Sequence, residues 1–369
     1  MNEKGLLLIF HKPLNQVDGQ TKYVRELVGI LSTQYKVVIP SEEFYKKYAM
    51  NNRNWLLRTL LVNTYLIFWA ITRRKYILSN VRLCIMEDRY SMIPTLFILK
   101  LAKLKLVSRI SDWGNGYVET LNLKGKIPAF LIKILDLFYR NFVLWNSDAA
   151  IVPSEYLYLL LDKNFKKPIL NFPYICKEDV KKTDNGIIDI VLKDSKHDIY
   201  CVLIGNFNYA PNEESAMYLI KNVAPEIKKQ DDRIKFIIVG AGSDVKFSRY
   251  NSDNIISAGI VDDLSEIYRQ CQIGINLSIT RGGTSIKNIE YLVNGLIVVS
   301  TEEAAIGVIK SSNVFISDRK DFKEMILKVS DRIRDGSMAN MEIEAQRVSE
   351  YYSERRVSLD TMEFFKTLY

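Results

Sequence analysis

Apolar residues along this chain recur in two modes that take turns. Short runs dense in Leu, Ile and Val predict buried strands, and stretches where apolar residues return every three or four positions predict helices. In the first half the runs fall at residues 6–10, 35–40, 82–86, 104–110, 149–153 and 168–172. Helical spacing falls at 21–31, with Val24, Leu27, Val28 and Leu31 on one face, and at 127–142 and 155–161. Ser154 stands where the last of these helices needs an N-cap. From residue 200 the alternation starts afresh, with strands at 200–204, 235–239, 254–261, 273–279, 296–300 and 313–318. Helical periods there cover 213–228, 264–271, 321–333, 341–351 and 357–368. Strands separated by helices pair in parallel, so the pattern predicts two doubly wound α/β domains. The expected division is 1–175, a polar linker or surface excursion over 176–199, a second domain over 200–350 and a final helix over 351–369.

One stretch of the second half concentrates chemistry. Residues 280–300 read TRGGTSIKNIEYLVNGLIVVS. Gly282 and Gly283 are followed by Thr284 and Ser285, and then by a helical pattern with Ile286, Ile289, Leu292 and Val293 on one face. Gly295 stands where that helix would stop. Amides at a helix N-terminus are unpaired and carry partial positive charge, so they attract phosphate, and glycines let the backbone approach it. Lys287 would add a full charge one turn in, and Glu290, one turn further, can accept hydrogen bonds from a sugar diol. Phosphate and diol together suggest a nucleotide. Glycine loops also follow the predicted strands at Gly205-Asn206-Phe207-Asn208 and Gly240-Ala241-Gly242.

The first half offers weaker candidates. It lacks G-x-G-x-x-G, which argues against dinucleotide binding there. Asp18-Gly19-Gln20 opens the first helix and would let a small polar ligand approach, or is an ordinary capped helix start. Asp112 lies in a loop just past a strand end, where open α/β sheets bind ligands; a turn former is the plain alternative. Asp262-Asp263 precedes a helix, where acids complement the dipole, and a metal is not needed to explain the pair.

Composition narrows the class. With 369 residues, 48% hydrophobic and 25% charged, the chain has the make-up of a soluble globular protein. Cys84, Cys176, Cys201 and Cys271 form no C-x-x-C pair, and the only histidines are His11 and His197, so reduced thiols, a cytoplasmic setting and no structural zinc are expected. The opening apolar run is short for a signal peptide, and no stretch approaches a membrane span. Charge is uneven: residues 1–170 hold 25 Lys+Arg against 13 Asp+Glu, the remainder 26 against 30. Within the basic half, residues 54–77 and 96–107 mix Trp and Leu with Arg and Lys, as an interfacial helix on anionic lipid would, or as a core helix with a basic rim would. Nucleic-acid binding fits poorly, since these basic residues lie beside aliphatic runs.

The motifs together resemble a known family. Gly205–Asn212 (GNFNYAPN), Ile237–Gly242 (IIVGAG), Gly259–Leu264 (GIVDDL) and Arg281–Glu290 (RGGTSIKNIE) match, in order and spacing, the donor half of retaining GT-B glycosyltransferases of the group 1, or family four, type. Val17–Leu27 and Asp148–Ser154 match more loosely. The resemblance implies two Rossmann-like domains facing across a cleft, with the C-terminal helix crossing back to the first. It implies a transferase that moves sugar from a nucleoside-diphosphate sugar, its co-substrate, to a saccharide or lipid-linked saccharide acceptor, with no metal or other cofactor. Glu290 would bind the ribose, and Lys287 with Gly282, Gly283, Thr284 and Ser285 the diphosphate. Ile260 and Val261 would meet the base, while Gly205, Asn206, Asn208, Gly240 and Gly242 line the donor site. Asp112 would touch the reacting groups, and Asp18, Gly19, Gln20 and Ser111 lie on the acceptor side. Two positions depart from the common pattern. Gly282 replaces an acid, as in a glycine-bearing subgroup, and Ser111 replaces a histidine that contacts the transferred sugar. A nucleotide-sugar epimerase or a catalytically silent nucleotide-sugar-binding protein remains the alternative. Cell-surface glycan synthesis at the inner face of the membrane, with peripheral contact through the basic half, is the expected setting.

Overall fold

The computed structural model describes residues 5–9, 14, 19–40, 55–87, 99–101, 103–110, 134, 137, 141–176, 198–279, 284–338 and 341–368. The chain divides into two compact units, one of Met1–Ile175 with Glu354–Tyr369 and one of Cys176–Ser353.

The first unit holds a six-stranded parallel sheet in the order β2-β1-β3-β4-β5-β6. Its strands are β1 (Gly5–Ile9), β2 (Val37–Val38), β3 (Val81–Glu87), β4 (Lys105–Arg109), β5 (Ala149–Val152) and β6 (Ile169–Asn171). Both faces are covered, which is why the strands read as unbroken apolar runs. Leu6 and Leu8 of β1 face the helix Gly19–Ser32 and the C-terminal helix Glu354–Leu368, in one cluster with Val24, Leu27 and Phe365. Leu7, on the opposite face, packs with Leu66, Trp69 and Ile77 from the helices Trp55–Thr72 and Arg74–Asn80. Lys105 Nζ donates to the Leu368 carbonyl at 2.6 Å and pins the end of the last helix to β4. Ser154 does cap the helix Glu155–Asp162, accepting from the Leu157 amide at 3.3 Å.

The second unit repeats the scheme with order β12-β11-β10-β7-β8-β9. These strands are β7 (Ile199–Ile204), β8 (Ile234–Val239), β9 (Ile255–Gly259), β10 (Ile273–Asn276), β11 (Ile297–Ser300) and β12 (Val314–Ile316). Side chains at alternate positions, among them Cys201, Leu203, Phe236, Ile238, Ile273, Ile275, Ile297 and Val299, build one core with Phe322, Ile326 and Val329. The expected two-sheet parallel α/β architecture is therefore the observed one.

Several elements differ from their sequence reading. The strand expected over 35–40 shrinks to Val37–Val38 at the sheet edge. The helix expected over 213–228 runs from Ala210 to Gln230, with Pro211 in its first turn and a wider π turn at Leu219–Val223. The strand expected over 254–261 stops at Gly259, whose φ of +73° breaks the extended path, so Ile260 and Val261 lie in the loop beyond. Trp69, read as a possible lipid anchor, is 4% exposed in the core. The helix expected over 127–142 and the linker at 177–198 fall largely or wholly outside the described residues.

Candidate functional site

In the second unit the chain leaves β7 for β8 and β9 on one side, then returns to β10, β11 and β12 on the other. The strand order thus reverses between β7 and β10, and ligands of open parallel sheets bind beyond the carboxyl ends of the strands at such a point. The loops that meet there are the ones after β7, β8, β9 and β10, and glycines decide how closely they pack. Gly240 has φ +130°, and a Cβ on it would sit 2.1 Å from the Gly205 carbonyl oxygen. The backbone bonds Phe207 N–H to Ala241 O at 2.9 Å and Gly240 N–H to Gly259 O at 2.7 Å lace three of these loops into one surface.

Side chains complete the lacing. Asn206 Oδ1 accepts from the Asn208 amide at 3.0 Å, and Asn212 Nδ2 donates to the Asn206 carbonyl at 3.0 Å. Asn208 Oδ1 also lies against Gly242, leaving 3.1 Å for an added Cβ. Lys246 holds the Phe207 carbonyl at 2.8 Å and pairs with Glu213 at 2.5 Å. Asn206 thus shapes its own loop. Ile260, at 74% exposed, stands at the end of β9 with its apolar surface open, and Val261 beside it is half-buried.

The helix Ile286–Val293 follows β10. Ser285 occupies its N-cap position without making a side-chain capping bond; its hydroxyl instead meets Asn276 Nδ2 at 2.9 Å. The first-turn amides are left directed out of the helix end, where they can meet an anion. Lys287 reaches back across the strand reversal and donates to Asn212 Oδ1 at 3.2 Å. Although the residue keeps part of its surface exposed, its ammonium end is desolvated, which brings its pKa down to about 8. Asn212 is a neutral partner and supplies no compensating charge. Glu290 accepts from the Tyr268 hydroxyl at 3.2 Å on its Oε2. Both side chains rise from one helix, one turn apart.

What holds that helix was not visible in the apolar pattern. The buried positions are Asn288, Ile289, Tyr291 and Leu292, whereas Ile286 and Val293 are only partly covered. Asn288 is fully buried, donating to Ser300 Oγ at 3.2 Å and to the Ala304 carbonyl at 2.9 Å while accepting from Asn276 Nδ2 at 2.9 Å. Thr301 Oγ1 bonds the Ser278 carbonyl. Tyr291 accepts from the Ile204 amide at 2.9 Å, and its ring lies over Gly274 so closely that a Cβ there would be 2.2 Å from ring carbon. Arg319 links Leu277 O at 2.7 Å to both oxygens of Glu214, at 2.5 and 2.6 Å, a second tie across the reversal. Asn212, Tyr268, Asn276, Asn288 and Arg319 are therefore the members of this region that sequence reasoning missed. Asn212 and Asn288 carried a signal, inside the GNFNYAPN and RGGTSIKNIE motifs; the other three carried none.

The other expected site residues divide plainly. Thr284 and Ser285 are half-buried at the helix start, while Gly282 and Gly283 lie outside the described residues. So do Asp18, Ser111 and Asp112. Gly19 and Gln20 form the first residues of the helix Gly19–Ser32. Asp263 caps the helix Leu264–Gln270 through the Ser265 amide at 2.8 Å, and that hydrogen bonding holds its carboxyl below the usual range.

Comparison with known proteins agrees with this geometry. Residues 198–335 match the family model for glycosyl transferases group 1. No curated protein sequence gives a significant match. Among solved structures, sucrose-phosphate synthase from Thermosynechococcus elongatus superposes with a TM-score of 0.67 at 14% identity, covering 99% of each chain. A glycosyltransferase from Rickettsia africae ESF-5 gives 0.66 at 16% identity, covering 100% of this chain and 99% of that one. Anabaena HepE in complex with UDP and glucose gives 0.60 at 11% identity, covering 99% of each. Residues 198–335 of the second unit thus resemble a glycosyl transferases group 1 domain, and the fold of the chain is the one seen in GT-B glycosyltransferases.

Proposed function

We propose that the chain is a retaining glycosyltransferase that moves a sugar from a nucleoside-diphosphate sugar to a saccharide or lipid-linked saccharide acceptor in cell-surface glycan synthesis. The observation that carries this reading is the helix Ile286–Val293, with its start uncapped by a side chain and Lys287 and Glu290 one turn apart at the reversal between β7 and β10. The UDP and glucose held by the similar HepE structure support a nucleotide-sugar donor. In this reading the diphosphate meets the first-turn amides and Lys287, the ribose hydroxyls donate to Glu290, and the base lies on the exposed apolar surface of Ile260. Tyr268 keeps Glu290 turned toward the ligand.

A nucleoside diphosphate is already a good leaving group, so no acid is needed to protonate it and no metal is invoked. As the bond from the anomeric carbon to the diphosphate oxygen breaks, charge gathers on the phosphates, and preorganised amides with one ammonium stabilise it. The acceptor hydroxyl attacks from the same face, which retains configuration, and gives its proton to the departing phosphate or to Asp112. Asp18, Gly19, Gln20 and Ser111 are assigned to the acceptor and the transferred sugar. Ser111, standing in for a histidine, favours a second reading in which donor binds without transfer.

Glu290→Ala tests the assignment. Loss of a hydrogen bond to a charged group costs about 1.5–3 kcal/mol, so donor KM should rise roughly 10- to 150-fold. An unchanged donor KM overturns the role. A thermal-shift screen across nucleoside-diphosphate sugars identifies the donor, since a ligand bound only by the native state raises Tm. Donor binding with neither transfer nor hydrolysis selects the silent reading.

A further inference from the structure

The helix Trp55–Thr72 is apolar on two sides. Its buried side is Leu66, Trp69 and Ala70, and the side turned outward is also apolar. Leu61, Thr64, Phe68 and Ile71 recur at the spacing of one helical stripe, and all four are exposed, Phe68 at 65% and Ile71 at 59%. The threonines of this face carry only hydroxyls, and Thr72 turns its own onto the Phe68 carbonyl at 2.9 Å. Large apolar side chains lined up in this way on an exposed helix mark a docking surface, whereas single exposed ones do not.

Charge says what docks. From Phe44 to Met86 the chain has eight Lys and Arg and not one Asp or Glu. Arg73 and Lys75, just past the stripe, are exposed, as is Arg82, and none of the three forms an ion pair among the described residues. The helix Arg74–Asn80 exposes Leu78 as well. A protein partner of ordinary composition would bring as many bases as acids to such a face, and a second copy of this chain, with a net charge of +8, would bring more bases than acids. A bilayer with anionic headgroups supplies both an apolar layer for Phe68 and Ile71 and a uniform negative charge for the arginines and lysine. No described helix is long and apolar enough to cross a membrane, so the contact is lateral.

We propose that the exposed Leu61–Phe68–Ile71 stripe, with Arg73 and Lys75 at its end, seats the first unit on an anionic membrane surface. The proposal deepens the reading of a lipid-linked acceptor, because it names the surface that would bring the enzyme to it. Its measurement does not depend on that reading, since vesicle binding is scored without donor or acceptor.

The experiment is co-sedimentation of the full chain with vesicles of phosphatidylcholine alone or mixed with phosphatidylglycerol, at low and high salt. Sedimentation with the mixed vesicles, reduced by salt and nearly lost without the anionic lipid, is expected. Phe68→Asp with Ile71→Asp should lower the bound fraction by about tenfold or more, and Arg73→Glu with Lys75→Glu by a similar factor. Both pairs are exposed, and circular dichroism checks the fold; should the first pair fail to fold, the second decides. Wild type left in the supernatant with anionic vesicles overturns the proposal, as does undiminished binding of the folded variants. A wild-type dimer that Phe68→Asp with Ile71→Asp dissociates also overturns it, by showing that a second copy covers the face. Vesicle binding without any donor-induced thermal shift would leave the membrane proposal standing and remove the donor reading.

Discussion

The two sheets share strand number and parallel direction, yet they differ in where the strand order reverses. In the first unit one strand, β2, lies on the near side of β1 and four lie on the far side. In the second, β7 and β10 stand at the middle with two further strands beyond each. Only there do the described strand-end loops interlock through glycines, a buried asparagine and two ties across the reversal. The described surface of the first unit shows instead an apolar stripe and basic side chains on a helix. One fold, used twice, carries an interlocked polar network at a strand reversal in one copy and an exposed apolar face in the other. Function on such folds lies in the site rather than in the scaffold.

The sharpest way to break this contrast is to add one methyl group to each unit. Gly240→Ala must place a Cβ 2.1 Å from the Gly205 carbonyl at a φ of +130°, so a loss of roughly 3 kcal/mol or more is expected. A denaturant midpoint that does not move would show that the loops are looser than described.

Asn288→Ala comes next. It strips partners from Asn276, Ser300 and the Ala304 carbonyl inside the core, and leaving such groups unpaired costs about 1–3 kcal/mol. Because Asn288 lies between Lys287 and Glu290 in helical order, donor affinity should fall along with stability. Full stability with weakened donor binding, or the reverse, would separate the network from the site.

Lys287 gives a pH signature. Its folded pKa of about 8 lies below the ordinary 10.5, so between those values the unfolded chain holds the extra proton. Stability of the ligand-free protein should therefore rise with pH across that window, a slope that Lys287→Met removes. In the proposed reading the charged Lys287 meets the donor phosphates, and on that reading donor Kd by calorimetry should weaken above about pH 8. Asn212→Asp would raise the lysine pKa and move that weakening to higher pH, while its carboxylate competes with phosphate and weakens donor binding roughly tenfold at pH 7.

The smallest effect belongs to the first unit. Gly29 lies exposed within the helix Gly19–Ser32, with nothing within 4 Å of an added Cβ. Gly29→Ala should stabilise by about 0.5–1 kcal/mol through helix propensity and a less disordered unfolded chain. A destabilised variant would contradict the openness of that surface.

Legibility in the sequence followed the range of the interactions. Ser154 as a cap and Gly295 as a helix stop could be read because the atoms involved are three or four residues apart. The motif around Lys287 and Glu290 could be read for the same reason, both being on one helix. Apolar spacing was half right on that same helix: Ile289 and Leu292 are buried as it nominated, but Ile286 and Val293 are only partly covered, whereas Asn288 and Tyr291 are buried. A polar side chain earns a core position only when its partners arrive with it, and those partners sit on other strands. Trp69 went to the core, although its arginine neighbours suggested an interface, because the face it shares with Leu66 is the one the sheet covers.

By itself, then, the sequence determined the alternation of strands and helices, their parallel pairing into two α/β units, and the glycine and charged positions after each strand in the second. These follow from local period and from conformations that only glycine adopts at no cost. The tertiary structure decided which strands are neighbours, where their order reverses, and hence that Asn212 meets Lys287 and Tyr268 meets Glu290. It also decided which face of the Trp55–Thr72 helix stays outside. The reason is that a periodic pattern says a face is apolar but not what covers it, and coverage is fixed by residues distant in the chain that only the folded sheet brings together.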